Sequence, residues 1–75
     1  MFHRIQAIET NEKNYEITIT FDDGVIVKKD FTPLLRGYLE VLKNREIFKQ
    51  VKIGHRGRSI IWEAFDIDFC ADSMR

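Results

Sequence analysis

Two carboxylates, Asp66 and Asp68, stand two residues apart in the run Phe65-Asp66-Ile67-Asp68-Phe69. On a strand, that spacing projects both side chains from one face, which makes the pair a candidate cation site. A hard divalent cation takes about six oxygen ligands, and only Glu63 and Asp72 stand nearby in sequence. Phe65, Ile67 and Phe69 instead suit a strand that buries its apolar face and leaves its carboxylates solvated. A small metal-binding protein or enzyme around Asp66 and Asp68 is therefore an alternative only. No cofactor is expected. His3 and His55 lie far apart, and neither has a cysteine at a zinc-ligand spacing. Cys70 and Ser59 have no neighbouring base in sequence, so no catalytic residue is assigned. Cys70 is expected to be a buried small hydrophobe or an idle thiol.

Charge offers a second chemistry. Arg36 to Arg58 carries seven basic residues against Glu40 and Glu46, whereas Glu63 to Arg75 carries four acidic residues against one basic. His55, Arg56 and Arg58 lie around Gly54 and Gly57 in a basic turn. With Lys52 they are the candidate anion or partner contacts, because a turn can add backbone amides to its cationic side chains. The plainer alternative is a solvated hairpin tip. A nucleic-acid role would use Lys49, Lys52, Arg56 and Arg58; it is an alternative to a protein partner, in which the basic turn of one chain can also meet the acidic tail of another.

The whole chain limits these options. Its 75 residues contain twelve basic and twelve acidic side chains, for zero formal net charge, which argues against a general nucleic-acid or membrane-surface binder. A domain of this size buries only about 60% of the surface its unfolded chain exposes, so association would add needed stability. The apolar fraction of 44%, with nine aromatic residues, suffices for one core. A lone cysteine, no signal-like start and no long apolar run predict a cytoplasmic protein without a membrane partner.

These residues need elements to position them. Tyr15 to Phe21 alternates apolar and polar residues, predicting a half-buried strand, and Val25 to Lys29 predicts its hairpin partner. A three-residue Asp22-Asp23-Gly24 loop sets Phe21 opposite Val25, Ile19 opposite Val27 and Thr18 opposite Lys28, so the faces match. Phe2 to Glu9 predicts another strand with poorer alternation. Thr32 before Pro33 predicts an N-cap, and Leu35, Leu39 and Leu42 share a helix face between about Thr32 and Gln50. Gly37 weakens that helix, and Asn44 can cap a second piece. Val51-Lys52-Ile53 and Ser59 to Glu63 predict a second hairpin, and Phe65 to Phe69 alternates again. The expected fold is one α+β domain over residues 1–75, ordered β-β-β-α-β-β, with a mostly antiparallel sheet and a helical middle packed on one face.

Several segments together resemble a small bacterial domain-of-unknown-function family. They are Ile19-Thr20-Phe21-Asp22-Asp23-Gly24, Asp30-Phe31-Thr32-Pro33-Leu34-Leu35, Ile47-Phe48-Lys49-Gln50-Val51, Ile60-Ile61-Trp62 and Phe65-Asp66-Ile67-Asp68. The similarity runs from Ile5 to Met74. It implies a small α+β fold with no established enzymatic activity. Some family members continue into a helix-turn-helix, and some are encoded beside toxin-like genes, implying a possible toxin-antitoxin association. With Arg75 as the last residue, a DNA-reading helix-turn-helix is not expected here. A tight Trp-Pro-Asn-Gly turn of the family reads Trp62-Glu63-Ala64-Phe65 in this chain, and Ala71 replaces a proline.

The expected function is thus a protein-interaction or regulatory module without catalysis, with a protein partner or a second copy as ligand. Tyr38 and Trp62 are the candidate interface aromatics.

Overall fold

The alternating segment forms the centre of the first sheet. The computed structural model describes residues 3–74; Met1, Phe2 and Arg75, the ends of the expected domain, lie outside the described residues, and with Phe2 the start of the expected first strand. Strands β1 (Ile5–Asn11), β2 (Glu16–Phe21) and β3 (Ile26–Asp30) make an antiparallel meander in that order. Ile17, Ile19 and Phe21 are fully buried, and Glu16, Thr18 and Thr20 occupy the opposite face. In the hairpin, Ile19 faces Val27 and Thr18 faces Lys28. The Phe21 N–H donates to the Val25 carbonyl at 2.8 Å, and Gly24 (φ +90°) donates to the Phe21 carbonyl at 3.0 Å. This is the three-residue loop that matching faces require.

The weak alternation of β1 has a local cause. Its register against β2 shifts between Ile5 and Ala7, where a bulge intervenes. Ile5 opposite Phe21 and Ile8 opposite Ile19 therefore share the core side although they are three residues apart. The extra residue breaks the period of two that exposes a strand in sequence.

The second sheet contains β4 (Lys52–Gly54), β5 (Ser59–Trp62) and β6 (Ile67–Cys70), again antiparallel and in chain order. The α+β class is as expected, but the chain has six strands in two sheets where the sequence predicted five strands and one sheet. The apolar β5 takes the centre, pairing Ile60 with Ile53 on one side and with Phe69 on the other. Because the helical connector separates β3 from β4, each meander pairs within itself, and the sheets meet where β1 packs on β4.

That connector is tighter than an α-helix over most of its length. It comprises 3₁₀ turns at Thr32–Leu34 and Gly37–Lys43, followed by the short helix α1 (Arg45–Phe48). The break falls at Leu35 and Arg36, just before Gly37, and Asn44 does cap α1, its Oδ1 accepting from the Glu46 N–H at 3.0 Å. Thr32 is not an N-cap: its hydroxyl donates to the Asn14 carbonyl, while its N–H donates to Asp30 Oδ1 at 2.9 Å. The upstream aspartate thus supplies the turn's acceptor.

Both sheets and the connector contribute to one core. Phe31, Phe48 and Trp62 are fully buried, and Phe31 meets Phe69 edge to face at 5.1 Å and Trp62 at 6.0 Å between ring centroids. Tyr15 packs edge-on against Phe48 at 5.4 Å, and its hydroxyl donates to the Lys43 carbonyl. Such edge-to-face pairs add specificity to apolar burial.

Candidate functional site

The β4–β5 turn carries the strongest concentration of cationic side chains near a concavity. Gly54 pairs with Ser59, leaving His55, Arg56, Gly57 and Arg58 to reverse the chain, and the Arg58 N–H donates to the His55 carbonyl at 3.2 Å. Three successive residues are left-handed: His55 (φ +49°), Arg56 (φ +57°) and Gly57 (φ +90°). For a residue bearing a Cβ, that conformation costs about 1–2 kcal/mol. The turn holds two such residues, and both point toward solvent as exposed side chains.

A fourth cation comes from the other sheet. Gly57 is buried, and a Cβ there would lie 2.5 Å from Arg4 Cγ and 3.0 Å from the Ile5 carbonyl oxygen. Only glycine lets the chain entering β1 lie this close over the turn. Arg4 is fixed from its own side as well, its carbonyl accepting from the Asp22 N–H at 2.9 Å. The result is a cleft of about 350 Å³ lined by Arg4, His55, Arg56 and Arg58. Among the described residues, neither Arg4 nor Arg56 forms an ion pair with a carboxylate.

The remaining basic candidates are engaged elsewhere. Lys52 pairs with Glu63, whose carboxyl is held below its usual pKa by that hydrogen bond and by the lysine's charge. Lys49 lies 2.8 Å from Glu46, and the hydrogen bond and charge of Glu46 raise its pKa. Two of the four residues proposed for nucleic-acid contact thus face carboxylates. Lys52 is also outside the cleft, lining instead a shallow hollow of about 400 Å³ with Gln50, Trp62, Glu63, Ala64 and Phe65.

Asp66 and Asp68 do not share a strand. Asp66 is left-handed (φ +54°) and ends the 3₁₀ turn Glu63–Phe65, whereas Asp68 lies in β6 opposite Ile61. The left-handed position of this turn thus falls on Asp66. Both aspartates line a hollow of about 180 Å³ with His55 and Glu63. His55 Nε2 is 3.6 Å from Asp68 Oδ2, and Glu63 is held by Lys52. Among the described residues, no group of three His, Cys, Asp or Glu side chains is arranged to hold a metal ion. His55 therefore stands between an acidic hollow and the basic cleft.

The candidate aromatics divide. Trp62 belongs to the core, 1% exposed, with its indole N–H donating to the Phe48 carbonyl at 2.9 Å. Its ring is buried in the core, so it is not an exposed interface aromatic. Tyr38 is 81% exposed on the turn Gly37–Lys43. Ser59 is buried, its hydroxyl without a hydrogen-bond partner among the described residues, and the Cys70 thiol is exposed.

The model of a family described as "Protein of unknown function (DUF2442)" matches residues 10–75. The chain belongs to the DUF2442 family. This is the class of family to which the ordered sequence motifs point. Comparisons of the chain with curated proteins and with solved structures find no match. The DUF2442 match includes His55, Arg56 and Arg58, while Arg4 precedes it. Among the described residues, no helix is long and apolar enough to cross a membrane.

Proposed function

We propose that this DUF2442 chain is a non-catalytic interaction module that acts in the cytoplasm by binding another protein. The observation that carries this reading is Tyr38, which is 81% exposed. An exposed tyrosine supplies a large, stiff contact with a polar tip, the kind of side chain that anchors interfaces. The resemblance to proteins encoded beside toxin-like genes makes a neighbouring gene's product the first partner to test. A second copy of the chain is the next.

The test is a pull-down from the host's extract with wild type and Tyr38→Ala, each with and without nuclease. A stoichiometric, nuclease-resistant partner is expected, and Tyr38→Ala should weaken its binding about 30-fold, as loss of an interface anchor does. An empty eluate, or a partner indifferent to Tyr38, would overturn the reading. A nuclease-sensitive eluate with steep salt dependence would transfer the function to nucleic acid.

A further inference from the structure

We infer that the cleft formed by Arg4, His55, Arg56 and Arg58 binds a phosphoryl dianion, either free phosphate or the terminal group of a phosphomonoester. The inference stands apart from Tyr38 and any protein partner. Three guanidinium groups and an imidazole line one concavity of about 350 Å³. A carboxylate satisfies one guanidinium fork, whereas a tetrahedral dianion presents several acceptor oxygens and enough charge for more than one. Among the described residues, Arg4 and Arg56 have no carboxylate paired with them. His55 Nε2 lies 3.6 Å from Asp68 Oδ2, on the side facing the acidic hollow.

The cleft is assembled from two remote parts of the chain. Gly57, with no room for a Cβ beneath Arg4 Cγ, keeps the arginine stem against the turn. The left-handed His55 and Arg56 belong to the same reversal. The cations are therefore brought together by backbone geometry before any ligand arrives, which lowers the ordering cost of binding.

Backbone amide shifts of the full chain, followed by NMR during titration with inorganic phosphate or methyl phosphate, test the inference against chloride at matched ionic strength. The expected result is saturable one-to-one binding with Kd near or below about 1 mM, with shifts confined to the turn at 54–59 and the start of β1. Tighter binding of methyl phosphate would identify a phosphomonoester, and tighter binding of phosphate the free ion. Arg56→Asn removes the guanidinium while keeping a residue tolerant of the left-handed region, and it should weaken binding at least about tenfold. Arg4→Gln provides a second variant away from the strained turn, with the same expectation. Shifts no different from chloride, or undiminished binding by both folded variants, would overturn the inference.

Discussion

Trp62 illustrates how one side chain can serve two needs of a small core. Its ring fills space among Phe31, Phe48 and Phe69, while its N–H satisfies the carbonyl of Phe48. Trp62→Phe would retain most of the apolar contact but leave that buried carbonyl without its donor. The expected loss is about 1–3 kcal/mol in unfolding free energy, read by urea denaturation. The same residue marks a limit of sequence reasoning. A tryptophan anchors cores and interfaces alike, and only its register, opposite Ile67 at the end of a central strand, places it inside. His55, Arg56 and Arg58 were legible as a basic cluster because one short turn carries all three. Arg4 was not, since its place depends on a backbone approach to a glycine more than fifty residues away.

Among the elements, those with clean periodicity and short connections were the most legible. The β2–β3 hairpin follows from alternation plus one glycine, whereas the bulge in β1 and the 3₁₀ connector hide their periods. Pro33 and Gly37 stand where a continuous helix would need ordinary residues, and the connector divides accordingly. Asp30 links β3 to this connector, and donation from the Thr32 N–H lowers the aspartate's pKa. Glu63, lowered by Lys52, links β4 to the turn after β5. Both contributions are complete above the unfolded carboxyl pKa values of about 4 and disappear as pH falls through the lower folded values. Lys49, with its raised pKa, contributes below about 10.4 and ceases to do so as pH rises through its folded value. Asp30→Asn preserves an acceptor but removes a titrating group. Its urea midpoint should therefore fall less than that of wild type between pH 6 and pH 2, both pH values chosen to bracket about 4.

For the whole molecule, the decisive contact is the meeting of β1's entry with the second sheet. Gly57 is both left-handed and enclosed, while Gly24 has the same φ of +90° with nothing within 4 Å of its Cβ position. Comparing the two alanine variants separates conformational strain from lost packing. Gly24→Ala should cost about 1 kcal/mol from backbone conformation. Gly57→Ala should cost at least about 3 kcal/mol, because Arg4 and Ile5 must also move. Thermal unfolding of both variants reads the difference.

Each sheet consists of strands that follow one another along the chain, without a strand passing from one sheet to the other. Little chain must be searched to form either meander, so closure of distant loops contributes little to the folding barrier. Neither half owns the whole core, however: Ile17, Ile19 and Phe21 lie in one, Ile60 and Trp62 in the other. The molecule is thus suited to rapid local zipping followed by a docking step that creates cooperativity. A cut within the connector would leave two complementary fragments, each requiring the other to become native.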